Sequence, residues 1–213
     1  MVLCDMRNKL DVICIDGIIG VGKTTQVVVF RNLLKSLNIP HKILSFKEVE
    51  GTEYTKNQLV SIIDYFKEEP MGVIICDGSI ATDIVEDIAN HMHSKDLWTK
   101  HKDNLQIYES LNSQFNFVNI LLTPTNLELC DRRLRKKAEM SGESKVELEN
   151  KQHLMVTAKG LRDFNNNTLT SNITFNNIDL DGDENITDIH NQILEIIKQR
   201  YQLYTREKQK KPL

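Results

Sequence analysis

Gly17, Gly22, Lys23 and Thr24 carry the clearest chemistry in the chain. Within residues 11–25, DVICIDGIIGVGKTT, they are spaced as G-x-x-x-x-G-K-[ST]. Glycines at such spacing let successive backbone N–H groups turn inward toward anionic oxygens. A helix opening at Lys23 adds the positive end of its dipole. Lys23 supplies a full charge toward the β and γ phosphates, and the Thr24 hydroxyl is the expected ligand of Mg²⁺. The expected cradle for ATP is Gly17, Gly20, Val21, Gly22, Lys23, Thr24 and Thr25.

Two carboxylates end apolar strands nearby. Asp77 closes VIICD and is expected to position Mg²⁺ together with Thr24; its alternative role is to cap the helix that follows. Asp16 adjoins the loop. It could take a proton from an attacking hydroxyl, or it could orient the loop through a hydrogen bond. Further on, DRRLRKK (131–137) precedes the polar segment AEMSGES. Arg132 and Arg135 on a closing lid, about residues 132–148, would stabilise charge on a transferred phosphoryl group.

These groups need elements that hold them. VICID (12–16), HKILSF (41–46), GVIICD (72–77) and FVNILL (117–122) read as strands, and NITF (172–175) leads a fifth. Apolar residues at helical spacing place helices at 23–37 and 54–68, around 84–92 and 105–111, and at 145–164 and 186–202. Thr125, with Glu128 three residues on, predicts a capped helix reaching the basic run. Strand and helix alternate, so the expected fold is α/β. It is a three-layer P-loop NTPase type with a parallel five-stranded sheet and helices on both faces. Ligands of such sheets bind at the carboxyl ends of the strands, where Asp16-Gly17 and Asp77-Gly78 lie.

The 213 residues suit one domain, expected at 1–204, with a basic tail at 205–213. A net charge of −3 argues against a nucleic-acid partner, and no apolar run is long enough to span a bilayer. The four cysteines form no CxxC pair and are expected as buried apolar groups in a reducing compartment, so the expected location is the cytoplasm. A small-molecule nucleotide is the expected partner, and a homodimer is left open.

With these motifs in place, the chain resembles the thymidylate kinase and deoxynucleoside kinase branch of P-loop kinases along most of its length. IDGIIGVGKTTQ is similar to the opening of both families. FKEVEGT (46–52) looks like the Arg-Glu-Pro-Gly-Gly-Thr segment of thymidylate kinases, which implies acceptor contacts from Lys47, Glu48, Gly51, Thr52 and Asp77. LTPTNLELCDRRLRKK is similar to the fourth strand and lid helix, and ELENKQHLMVTAKGLRDF to the helix after the lid. Asp16 followed by Ile18-Ile19-Gly20 leans toward nucleoside kinases, and that likeness implies a base at Asp16. The departures fall on the acceptor side. Gly78 stands where the Asp-Arg signature has arginine, Lys47 replaces another arginine, and only 26 positions separate Gly51 from Asp77. The resemblance implies ATP-dependent phosphoryl transfer to a nucleoside monophosphate such as dTMP, with an atypical acceptor site. A deoxynucleoside kinase, or an ATP-binding protein of weak activity, are the alternatives.

Overall fold

A computed structural model describes residues 10–46, 51–90, 97–141, 151–166, 174–181 and 185–200. The elements run β1 (Val12–Gly17), α1 (Lys23–Ser36), β2 (His41–Ser45), α2 (Gly51–Glu68), β3 (Val73–Asp77), α3 (Ile80–Asn90), α4 (Leu97–Gln114), β4 (Phe117–Pro124), α5 (Leu127–Ser141), α6 (Lys151–Asn166), β5 (Phe175–Leu180) and α7 (Ile186–Arg200). All strand pairs are parallel, in the order β2-β3-β1-β4-β5. The α/β expectation of a five-stranded parallel sheet with helices on both faces holds.

The composition of each strand fits its place. β1 and β4 are buried along their whole length, because their branched apolar runs are covered on both faces. The edge strand β5 alternates: Phe175, Ile178 and Leu180 are buried while Asn177 and Asp179 face solvent. NITF was expected to lead this strand, and the strand starts at its last residue, Phe175. The backbone pairs through the asparagines at 176 and 177, and Asn176 Nδ2 donates to the Asn119 carbonyl at 3.0 Å. Asp179 and Leu180 complete this strand.

α1 and α7 pack together on one face; α2, α3, α4 and α6 form the other layer. Chain direction reverses between β1, whose helix leads outward to β2, and β3, whose helix leads back across β1 to β4. The crevice at this switch point is where ligands of open α/β sheets bind. Cys14 and Cys76 face each other across β1 and β3, and Cys14, Cys76 and Cys130 are free, buried thiols. Among the described residues no helix is long and apolar enough to cross a membrane.

Helix starts correct one expectation. Asn126, not Thr125, caps α5: its Oδ1 accepts the Glu128 N–H at 2.9 Å, while the Thr125 hydroxyl donates to the Leu180 carbonyl at 3.0 Å. Thr125 is therefore drawn to the end of β5, which leaves the capping position to its neighbour. Asn185 caps α7 through the N–H groups of Thr187 and Asp188.

The α1–α7 contact carries a pH response. His190 lies against Phe30, ring centroids 4.4 Å apart, and its Nδ1 is buried with no hydrogen-bond partner among the described residues. Burial holds its pKa below the ordinary 6.5. The neutral ring is thus favoured in the folded chain, and unfolding takes up a proton once the pH drops. The stability due to this ring should be complete above about pH 6.5 and decline as the pH falls below it, levelling off beneath the folded-state pKa. Urea melts from pH 8 to 5 on wild type and His190→Phe will isolate it: the wild-type curve falls more steeply on acidification. Parallel curves would exclude His190 as the source.

Candidate active site

The phosphate loop begins where β1 ends. Gly17, Gly20 and Gly22 have φ of 147°, 78° and 111°, and α1 starts directly after Gly22. L side chains rarely adopt these angles. Gly20 has a second reason to be glycine: a Cβ there would lie 2.9 Å from the Cys130 carbonyl, so α5 rests directly on the loop. At Gly22 a Cβ would meet nothing within 4 Å, so the loop opens there to space a ligand can enter. Val21 is buried, Lys23 half-buried, and Thr24 and Thr25 exposed. The Lys23 ammonium is folded back and donates to the Gly17 carbonyl.

Thr24 and Asp77 come together across 53 residues of chain. The Thr24 hydroxyl donates to Asp77 Oδ2 at 2.8 Å, at the rim of the loop. Asp77 is half-buried and pairs in register with Ile15 on one side and Ser45 on the other. Two accessible hard oxygen donors on adjacent segments suit Mg²⁺. The capping role open to Asp77 falls instead to Ser79, whose Oγ accepts the Ala81 N–H at 3.1 Å at the start of α3.

Asp16 is placed differently from an exposed base. Its side chain is fully buried. Oδ1 accepts the Ser79 N–H at 2.8 Å and the Thr82 hydroxyl at 2.7 Å, while Oδ2 has no partner among the described residues. Burial pushes its pKa up; the bonds from Thr82 and Ser79 and the charge of Lys23 pull it down. A carboxyl with no accessible surface is not positioned to meet a substrate hydroxyl in this conformation. Of its two sequence readings, the orienting hydrogen bond is the one the geometry matches.

The basic run is also resolved residue by residue. Arg135 is exposed and paired with Asp131 one turn earlier, Nε to Oδ2 at 2.9 Å. Arg132 points to solvent. Arg133, which was not singled out in the sequence, reaches the phosphate loop: its Nη1 donates to the Val21 carbonyl at 3.2 Å. Burial pushes the Cys130 thiol pKa up, opposed by the charges of Arg133 and Lys23, so both cations stand near the start of α5. Helical spacing explains the miss. Arg132 and Arg135, three residues apart, share one face and Arg133 lies on another, and only the docking of Cys130 and Leu134 on Gly20 decides which face looks at the loop. The expected lid is helical through Ser141; residues 142–148 lie outside the described residues.

On the acceptor side, Gly51 and Thr52 open α2, while Lys47 and Glu48 lie outside the described residues. The Phe46 N–H donates to the Asp77 carbonyl at 3.3 Å. Gly78 has φ of 78° and bonds its N–H to the Ile15 carbonyl at 3.0 Å. A left-handed backbone costs an L residue about 1–2 kcal/mol. Gly78 is thus a built turn rather than a position merely stripped of an arginine. Behind it lies a cluster that sequence reading missed. Thr55 Oγ1 donates to Asp83 Oδ2 at 2.8 Å, and His101 Nδ1 stands 3.8 Å from the same oxygen, all three buried. These side chains come from α2, α3 and α4, and no local spacing brings them together.

No family model matches the chain, and no curated protein matches it. Solved structures do match its fold. Deoxyadenosine kinase from M. mycoides with the products dCMP and a flexible dCDP bound aligns at TM-score 0.55 and 15% identity, over 88% of this chain and 99% of that one. The same enzyme with dCTP bound aligns at 0.54 and 16% identity, and with dATP bound at 0.50 and 18%, over the same shares. The chain has the fold of these kinases.

Proposed function

We propose that this chain transfers the terminal phosphoryl group of ATP to a hydroxyl of a nucleoside acceptor. The observation that carries the proposal is the Thr24–Asp77 bond at the rim of a glycine loop followed by Lys23. Loop N–H groups and the N-terminus of α1 hold the donor phosphates. Lys23 leaves the Gly17 carbonyl for them, and Arg133 adds a second cation from α5. Thr24 and Asp77 would hold Mg²⁺, whose chemistry is to neutralise charge on the phosphate oxygens. The acceptor oxygen forms the new O–P bond as the bond to the departing ADP breaks, and the hydroxyl proton passes to solvent. Such transition states are loose, so positioning and charge carry most of the acceleration.

The choice of nucleoside over monophosphate rests on Gly78. An acceptor phosphate is a dianion, and the end of β3 offers it a backbone turn in place of a guanidinium. The likeness to deoxyadenosine kinase in fold agrees with this choice. A thymidylate kinase-like acceptor is the competing reading, with Lys47 as its point charge.

An ADP-release assay over deoxynucleosides and their monophosphates tests the proposal. Each lost charge-assisted hydrogen bond costs about 1.5–3 kcal/mol, and arginine is absent at both Gly78 and Lys47, so a monophosphate should trail its nucleoside in kcat/KM by roughly two to four decades. A preference for monophosphates would return acceptor recognition to Lys47 or the lid. Turnover of neither would leave a nucleotide-binding protein.

A further inference from the structure

We infer that Asp16 is a positioning residue that fixes the acceptor-side helix α3 to the phosphate loop, so that the two halves of the site move as one body. The backbone pairing of β1 with β3 ends at Ile15 and Asp77. Beyond that point the stitching continues. Gly78 N–H donates to the Ile15 carbonyl, and Ser79 N–H and the Thr82 hydroxyl both donate to Asp16 Oδ1. Asp16 immediately precedes Gly17, so one carboxylate oxygen joins the entry of the loop to the first turn of α3. Thr24 and Asp77 close the same seam from the loop's other end. The carboxyl has no exposed surface, and its second oxygen takes no partner among the described residues. All its described bonds therefore go to α3 and the turn before it.

The chemistry of the bond separates this role from that of a base. Asparagine keeps an oxygen where Oδ1 stands and can accept the same two bonds, but it cannot take up a proton. Alanine accepts neither bond. The kinetic part of the test rests on the phosphotransfer reading above. With Asp16→Ala, acceptor KM should rise about tenfold or more while KM for ATP stays within about threefold, since one lost bond of this kind is worth about a decade. Asp16→Asn should restore both constants and keep kcat within about threefold of wild type, by the same measure. A base would give the opposite pattern, with kcat falling in Asp16→Asn as far as in Asp16→Ala.

Amide hydrogen exchange supplies an arm that needs no turnover. Residues 79–83 should exchange about tenfold faster or more in Asp16→Ala and not in Asp16→Asn, with residues 127–134 unchanged. Thr82→Val, which removes one of the two bonds and keeps the shape, should give an intermediate rate and serves if Asp16→Ala does not fold. A wild type that turns over no acceptor would sink the phosphotransfer reading and leave this arm standing. Exchange at 79–83 that is equal in wild type and the variants, or equally fast in Asp16→Asn and Asp16→Ala, overturns the inference.

Discussion

Lys23→Ala will abolish most of the stabilisation of the protein by Mg-ATP and lower turnover by about two to three decades. Lys23 opens α1 and reaches back over the loop to the Gly17 carbonyl, so its ammonium already lies across the space the glycines leave free. A preorganised donor aimed at developing charge is worth about 2.7–4 kcal/mol in the transition state. A ligand at a hundred times its dissociation constant stabilises a fold by about 2.7 kcal/mol. Wild type should therefore melt several degrees higher with saturating Mg-ATP, and Lys23→Ala should not. The comparison is made with and without nucleotide for each protein, because the variant also loses its bond to Gly17. A wild-type melt that ignores Mg-ATP, or a variant that keeps the full shift, removes the basis for placing the donor at this loop.

The largest effect on stability is expected away from the loop, at Tyr108. This ring is fully buried between α4 and the sheet. Its hydroxyl donates to Asn119 Oδ1 at 2.7 Å and lies 3.5 Å from Cys14 Sγ, and its ring meets that of Phe117 in a T-shaped contact with centroids 5.6 Å apart. Burial pushes its pKa well above the ordinary range, so it stays a neutral donor at all working pH. Tyr108→Ala removes a large aromatic, leaves a cavity and orphans a buried amide oxygen, at a cost of about 3–5 kcal/mol. For a chain of this length each kcal/mol lowers Tm by about 2–4 °C, so a fall of roughly 6–20 °C is expected by calorimetry. Tyr108→Phe keeps the packing and loses the bond, so it should recover more than half of the difference. A Tyr108→Ala melt within about 2 °C of wild type would mean the surrounding helices close the gap, against the usual partial relaxation of cores.

The parts of this molecule that were legible in sequence are those set by local pattern. Branched apolar runs gave β1, β3 and β4 because both faces of central strands must be apolar, and the glycine spacing located the loop because only glycine fits its angles. The Thr24–Asp77 pairing followed from the loop after β1 and the end of β3 meeting at one crevice. Other features depend on contacts that no local window contains. Asp16 stands where a base would stand, but its burial depends on the turn at Gly78 folding back over it, 63 residues away along the chain at Ser79. Arg133 and its neighbours are equivalent in composition, and only the docking of α5 on Gly20 separates them. Only the start of β5 was read, because the asparagines that continue it are tolerated at an edge strand and carry no strand pattern. Arg135 was expected on a closing lid, and in the described conformation it pairs with Asp131 one turn earlier.

The strand order has a consequence for how the site comes into being during synthesis. The loop is made first, yet the groups that complete it are distant: Thr24 waits 53 residues for Asp77, and Val21 waits 112 for Arg133. At about 5–20 residues per second on the ribosome, the first interval lasts roughly 3–11 s and the second roughly 6–22 s. Until β3 is made, β1 lacks both neighbours, β3 and β4, and cannot be paired on either side. For that period the nascent chain displays an apolar strand with two open edges, the condition under which chains recruit one another or a chaperone. The central position of β1, which brings the phosphate loop and the end of β3 to one crevice, thus makes this strand the most vulnerable part of the fold while it is being made.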